Sequence, residues 1–229
     1  LTKPAVIIPF RDRGKDSLRQ ANLNRVLKHW VGFDVSVVDD GRCGDAQFNR
    51  SAAYNRAVAA SDADVFVFTE SDMLIPHDQI HQAIQFAYTP GLVVPFTRYC
   101  YLNPADSVKV RNGQPPERFV PKYVMGDGRS IGAINVVSRE SVELIGRFPE
   151  EFEGNWFDDN AIEHCFTTCC GPTRHIEGDA WHLYHLPGHT GSHLTAEDKA
   201  ATARNKTRFE QYQTVTDPER IRAMTSGEL

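Results

Sequence analysis

The chain has 229 residues, 41% of them hydrophobic and 24% charged, with a net charge of −5. That is enough apolar material for one real core, with or without a small appendage, and an ordinary charge content for a soluble domain. The acidic balance gives no reason to expect nucleic acid or an anionic membrane as partner, and no run approaches the roughly 18–20 apolar residues of a membrane span.

The first hundred residues alternate apolar strands with amphipathic helices. Ala5-Val6-Ile7-Ile8 is a continuous apolar run, as expected of a strand buried on both faces, and it ends in Pro9-Phe10-Arg11-Asp12-Arg13. Helical spacing of Leu18, Leu23, Val26, Leu27 and Trp30 predicts a helix over 17–30, closed by Gly32. Val35 to Val38 is the second strand and ends in Asp39-Asp40-Gly41; a helix follows over 48–60. Val65 to Phe68 is the third strand and ends in Thr69-Glu70-Ser71-Asp72. Pro76 starts a helix to about Ala87, and 92–96 reads as a fourth strand.

From 98 to 130 the periodicity fades, and Asn103-Pro104, Asn112-Gly113 and Pro115-Pro116 punctuate what reads as a long irregular loop. Residues 134–137 form a strand, followed by a helix through Ile145 and another over 158–170. The segment 195–212 is polar and helical in character. The strand–helix–strand order predicts an α/β fold with a mostly parallel, Rossmann-like central sheet flanked by helices. One domain is expected over 1–229, with a nucleotide-binding half at 1–97, an acceptor and catalytic half at 98–194, and a helical tail at 195–229.

In such sheets ligands sit beyond the carboxyl ends of the strands. Three of those ends carry Arg11 and Arg13, Asp39 and Asp40, and Glu70 and Asp72. Acidic residues flanking Ser71 on a tight turn suit a hard divalent cation held by oxygen, with a diphosphate completing the coordination. Capping of the next helix is the plainer role. Trp181-His182-Leu183-Tyr184-His185 is the second motif. Strand alternation puts His182 and His185 on opposite faces, so a bend is needed for both to reach one metal; Pro187-Gly188 marks a turn nearby. His189 and His193 are further candidates. Asp158-Asp159 follows Asn155-Trp156-Phe157 and could supply the carboxylate that takes a proton from an acceptor hydroxyl; acids also favour helix N-termini for the macrodipole alone. Trp156 could stack on a sugar or serve as core or lid. Arg11 and Arg13 could contact a nucleotide, and Asp39 or Asp40 could accept from a base or ribose, or simply form the turn.

The five cysteines form no disulfide framework. Cys165, Cys169 and Cys170 follow His164, and buried thiols on a helix compete there with a zinc site. Reduced cysteines and the lack of a signal peptide point to the cytoplasm, although the first residue is Leu1, so a trimmed anchor stays open.

As an ordered set, these pieces resemble the β-1,4-galactosyltransferases, and more broadly the inverting glycosyltransferases of the GT-A fold. A more distant likeness is to the polypeptide N-acetylgalactosaminyltransferases. Residues 6–13 are similar to the Pro-Phe-Arg-x-Arg opening of the β-1,4-galactosyltransferase family, and Phe48-Asn49-Arg50 to its Phe-Asn-Arg. Residues 66–76 are similar to its strand and Asp-Val-Asp motif before Leu-Ile-Pro, with Glu70 in place of the first Asp. Gly132-Ala133 falls at its Gly-Gly, and Phe148-Pro149 with Trp156 to Asp159 at its Gly-Phe-Pro and Trp-Gly-Gly-Glu-Asp, without the glycines. His182 and His185 match its late metal ligands.

The resemblance implies Mn²⁺ (or Mg²⁺) held by Asp72, His185 and His182, with Glu70 beside them. It implies a base at Asp159 or Asp158, with the missing glycines leaving that choice open. It places Pro9, Phe10, Arg11, Arg13, Asp39, Asp40, Arg50, Glu70, Ser71 and Gly132 around a UDP-sugar, and Trp156 and Phe157 at the acceptor. The acceptor itself (glycan, protein or lipid) is left open. Ser130 stands where the family has a bulky Tyr near the sugar's C2, which would leave space for an N-acetyl group. Two other readings stand beside this one: a metal-dependent nucleotidyltransferase, and a sugar-nucleotide or glycan binding module without turnover.

Overall fold

A computed structural model describes residues 3–126, 131–188 and 190–228. The strand β1 (Ala5–Pro9) is flanked by β2 (Asp34–Val38) and β3 (Val65–Thr69), both parallel to it. Two helices make the crossovers. Helix α1 (Ser17–His29) starts at Asp16, whose carboxylate accepts from Leu18 N–H; α2 (Arg50–Ala60) starts at Asn49, which caps Ala52 N–H. After β3 the chain turns sharply into a two-residue strand, β4 (Met73–Leu74), then α3 (His77–Ala87) and β5 (Val93–Val94).

The central sheet has six strands in the order β2-β1-β3-β8-β5-β9, where β8 is Ile134–Ser138 and β9 is Arg174–His175. Only β8 runs against its neighbours, so the sheet is mostly parallel, as expected. The fourth strand is shorter than 92–96 because Pro95 has no N–H to give the ladder.

The stretch from 98 to 130, expected to be irregular, is largely structured. It holds β6 (Arg98–Tyr101), α4 (Pro104–Arg111), a 3₁₀ turn at Pro116–Arg118 and β7 (Tyr123–Met125). Asn103-Pro104 reads as a breaker but is a helix start: Asn103 accepts from Asp106 N–H at 2.8 Å, and Pro104 needs no partner at the first helical position. Strands β6 and β7 join β4 and β10 (Asp179–His182) in a second, four-stranded sheet in the order β4-β10-β6-β7. All its pairings except β6–β7 are distant in sequence, so no local pattern announces them.

Two apolar cores lie on the two faces of the central sheet, as period-two alternation requires. Val6 and Ile8 face α1, α3 and the second sheet; Ala5 and Ile7 face α2 and the later helices. Those helices are α5 (Arg139–Leu144), α6 (Asp158–Cys170), α7 (Ala196–Gln213) and α8 (Pro218–Ser226). Tyr54, Phe68 and Phe148 pack as tilted and edge-on rings in this second core. Cys165 is buried there, and Cys169 and Cys170 pack against it. Among the described residues they are free thiols and join no group of converging metal ligands. No described helix is long and apolar enough to cross a membrane.

Three histidines pin α1 to α3. His29 donates through Nε2 to the Ile75 carbonyl at 2.7 Å, its ring lies 4.5 Å from that of His77, and His81 stacks on Phe33. Burial, then the charge of His77, lowers the His29 pKa to about 4, against a bond to Ile75 that raises it; burial also lowers His77. The folded protein therefore holds these rings neutral where the unfolded chain takes up protons. Stability should be whole above about pH 6.5 and fall as pH drops towards 4, by about 3 kcal/mol from His29 alone. Urea unfolding midpoints at pH 7.5 and 4.5 measure this, and His29→Gln should reduce the difference.

Candidate active site

Thr69 closes β3, and the turn that follows points successive side chains different ways. Met73 N–H bonds to the Glu70 carbonyl at 3.4 Å, and β4 then pairs antiparallel with β10, placing His182 opposite Met73 and Trp181 opposite Leu74. Leu183 N–H bonds to the Asp72 carbonyl at 2.9 Å. Register therefore brings the end of β10 against Asp72.

The bend demanded by the histidine spacing follows at once. Strand β10 ends at His182, Tyr184 N–H bonds to Ser107 Oγ at 2.9 Å, and Leu186 N–H bonds to Asp16 Oδ2 at 2.7 Å. His185 Nε2 comes to 3.2 Å from Asp72 Oδ2 and 3.2 Å from His182 Nε2, and His182 Nε2 lies 3.8 Å from Asp72 Oδ1. His185 Nδ1 meets the Leu186 carbonyl at 2.6 Å, which leaves Nε2 free to face the others as a ligand. One ligand atom from each of Asp72, His182 and His185 lies within 4.8 Å of the other two.

The donor set fits a divalent cation. Asp72 is 1% exposed, and its Oδ1 has no hydrogen-bond partner. A buried carboxylate oxygen without a partner is costly unless an ion takes it. Burial would raise the Asp72 pKa, yet His182 and His185 outweigh it and the net shift is down. Burial lowers His182 to about 4, so it presents a neutral imidazole. Glu70, expected beside the metal, does not converge with the three. It pairs instead with Arg50 at 3.0 Å.

Arg50, first residue of α2, is the second centre of the site. Its side chain is 15% exposed and reaches Glu70, Asp158 at 3.1 Å and Asp159 at 2.6 Å. Asp158 and Asp159 open α6, but Asp158 is buried and off the cavity while Asp159 is on its wall. Burial raises the Asp159 pKa, Arg50 opposes it, and the carboxylates of Asp158 and Glu70 raise it again, to about 8. Gly132 makes room for this carboxylate: a Cβ there would lie 2.4 Å from Asp159 Oδ2.

All of this opens on one cavity of about 710 Å³. Its wall includes Pro9, Phe10, Arg11, Arg13, Arg50, Glu70, Ser71, Asp72, Gly132, Trp156, Phe157, Asp159, His182 and His185. Asp39 and Asp40 are not on it. Asp39 caps the turn at Gly41, and Asp40 is spent on Arg11 Nε at 2.8 Å and Asn49 N–H at 2.9 Å. Arg11 and Arg13 border the cavity but give most of their donors to the loop 44–47. His193 is half-buried on the cavity wall, and its Nε2 bonds to the Pro187 carbonyl; His189 and Ser130 lie outside the described residues.

The sequence reading missed Arg19, Tyr99, Tyr101, Lys122, Tyr184 and Asp198, all on the wall. Arg19 had a usable signal, being in the first turn of the helix after β1, next to a strand end. Asp198 had none, because its partners Arg13, Lys15 and Gln47 are brought to it only by folding of the tail. Among the described residues, three other than glycine take positive φ: Ala133 at 71°, Trp156 at 73° and Phe157 at 69°. All three are on this wall, where backbone strain commonly collects.

Removing Arg50 would leave three carboxylates close together with no cation among them. Arg50→Ala should destabilise the protein by about 3–5 kcal/mol at pH 8. The loss should shrink towards pH 5 as the raised carboxyl of Asp159 takes up a proton. Chemical unfolding at the two pH values tests this, and an equal loss at both would contradict it.

No protein-family model matches the sequence, and no curated protein matches it significantly. Solved structures do resemble it. A complex of a Drosophila β-1,4-galactosyltransferase 7 mutant with manganese, UDP-Gal and xylobiose is 19% identical, with a TM-score of 0.52 over 76% of this chain; the chain spans only 65% of that protein's length. Glucosyl-3-phosphoglycerate synthase from Mycobacterium tuberculosis, with Mg²⁺ and UDP, is 13% identical, with a TM-score of 0.54 over 94% of this chain and 80% of the other. A mannosyltransferase from Pyrobaculum calidifontis, with GDP-Man and Mn²⁺, is 15% identical, with a TM-score of 0.51 over 99% of this chain and 68% of the other. With the six-stranded sheet and its short companion sheet, these likenesses establish that the chain has the GT-A fold of glycosyltransferases.

Proposed function

We propose that the protein is a metal-dependent inverting glycosyltransferase that moves a hexose or N-acetylhexosamine from a UDP-sugar to an acceptor hydroxyl. The observation that carries the reading is the meeting of Asp72, His182 and His185 in the same cavity as Asp159, on a GT-A fold. The structural neighbours bound to manganese or magnesium with UDP, UDP-Gal or GDP-Man support it.

Asp72, His182 and His185 would hold the ion, and two imidazoles with one carboxylate suit Mn²⁺ better than Mg²⁺. When bound, the ion supplies positive charge for the leaving diphosphate. Pro9, Phe10 and the loop held by Arg11 and Arg13 border the nucleotide. Trp156 and Phe157 stand at the acceptor side.

Asp159 acts as the base. A carboxyl titrating near neutrality is matched to taking a proton from a hydroxyl. The acceptor oxygen attacks the anomeric carbon, the bond from that carbon to the diphosphate breaks, the proton passes to Asp159, and UDP leaves. Arg50 orients Asp159 and keeps its neighbours Asp158 and Glu70 from forcing a proton onto it.

The test is nucleotide release from a panel of UDP-sugars and GDP-mannose, with Mn²⁺ and with chelator. Metal-dependent UDP release from one donor, lost in Asp72→Ala, is the expected result. Pyrophosphate release instead would indicate nucleotidyl transfer, and UDP binding without turnover on any acceptor would indicate a binding module.

Asp159→Asn should lower kcat by at least about a hundredfold, the usual scale of a lost general base, with little change in KM. Gly132→Ala should act through the same carboxylate. Its backbone is not in the left-handed region, so stability should hold while kcat falls as the new Cβ displaces Asp159. Wild-type kcat with Gly132→Ala would show that Asp159 need not occupy this position.

A further inference from the structure

Most cations on the cavity wall are already committed. Arg50 faces three carboxylates. Arg11 is held by Asp40 and the Gly44 and Ala46 carbonyls. Arg13 and Lys15 are both bound to Asp45 and Asp198. Lys122 has no ion pair among the described residues, but it is exposed.

Arg19 differs from all of these. It lines the cavity and is only partly exposed, yet among the described residues its guanidinium makes no hydrogen bond and no ion pair. It is close enough for its charge to act on Glu70, Asp72 and His182. Its place is fixed from two sides. Arg19 N–H bonds to the Asp16 carbonyl at 3.2 Å, and Asp16 in turn holds Leu18 N–H and Leu186 N–H, the latter adjoining His185. The backbone that carries this guanidinium is therefore anchored, and its side chain lines the same cavity as the three candidate metal ligands.

Charge and shape both point to a phosphate as its partner. Asp72, neutral histidines and a divalent cation together carry one positive charge. A sugar-linked diphosphate brings two negative charges, so one remains, and a single fixed cation cancels it. The guanidinium fork also matches two phosphate oxygens at once, which a lysine cannot do. Resting on the function proposed above, we propose that Arg19 is the residue that binds the donor's diphosphate opposite the metal ligands, while Arg11 and Arg13 shape the loop at the nucleotide end.

The experiment is calorimetric titration of UDP and, separately, of Mn²⁺ alone into the wild type, Arg19→Ala and Arg19→Lys. With no hydrogen bond or ion pair to lose among the described residues, Arg19→Ala should keep the wild-type melting temperature, and it should bind Mn²⁺ at least as tightly as the wild type because a positive charge near Asp72 and His182 is removed. UDP affinity in saturating Mn²⁺ should fall about tenfold to a hundredfold, the scale of a lost charge-assisted hydrogen bond, and Arg19→Lys should recover part of it. UDP affinity in Arg19→Ala within twofold of wild type overturns the inference and leaves the proposed function standing. A parallel fall in Mn²⁺ affinity also overturns it, since Arg19 would then be supporting the metal site. A wild type that binds no UDP overturns the proposed function, and this inference with it.

Discussion

The site depends on one short pairing. Strand β4 has two residues, and its antiparallel register with β10 sets His182 against Met73, one residue beyond Asp72. Asp72 ends the turn after a central-sheet strand, whereas His182 closes a strand of the second sheet more than a hundred residues later and His185 lies in the bend after it. A slip of one residue in β10 would turn His182 to the opposite face and replace it with Trp181 or Leu183. The backbone bonds from Leu183 N–H to the Asp72 carbonyl and from Leu186 N–H to Asp16 lock the register, because each occupies a group that would otherwise be left without a partner. The side-chain atoms of Asp72, His182 and His185 are thus brought together by hydrogen bonds from main-chain N–H groups rather than by side-chain packing alone.

Arg50 links this centre to Asp159 on the same cavity wall. It sits where the ends of β3, α2 and α6 meet, and it offsets the mutual repulsion of Glu70, Asp158 and Asp159. Burial and the neighbouring carboxylates push the Asp159 pKa up, Arg50 opposes them, and the balance leaves it at about 8. Asp158 is buried off the cavity and Asp159 is on its wall, so two adjacent acids at one helix start have different surroundings. Gly132 and the strained backbone of Ala133, Trp156 and Phe157 close in around the same carboxylate. Each positive φ on a residue with a Cβ costs about 1 kcal/mol or more, which the surrounding core must offset.

The tail completes the enclosure. Thr195 and Asp198 form a reciprocal cap at the start of α7, and Asp198 also accepts from Arg13, Lys15 and Gln47. Burial alone would raise the Asp198 pKa, but the bonds from Gln47, Thr195 and Lys15 hold it well below the usual carboxylate range. Asn205 on the same helix donates to the Glu153 and Trp156 carbonyls, so α7 fixes the loop that carries Trp156. Helix, loop and first strand end are held as one wall.

Local pattern was sufficient for much of this. Apolar runs marked β1, β2, β3 and β8, helical spacing marked α1, and α6 follows over the stretch 158–170 that the sequence suggests. These elements owe their form to burial on both faces of a sheet or one face of a helix, which the order of residues states directly. The Glu70-Ser71-Asp72 turn and the His182 and His185 spacing were also legible, including the need for a bend. Tertiary structure alone decided the rest. It made β6 and β9 strands through pairings with distant partners and let β7 add to the edge of β6, sent Glu70 to Arg50 rather than to Asp72, His182 and His185, and withdrew Asp40 and much of Arg11 into the loop that frames the cavity. It also separated Asp158 from Asp159 and left Arg19, among the described residues, without a hydrogen bond or ion pair on the same wall as Asp72. Sequence fixes which groups are available and on which face of an element they stand; which of them neutralise one another depends on contacts between distant segments, and those exist only once the chain has folded.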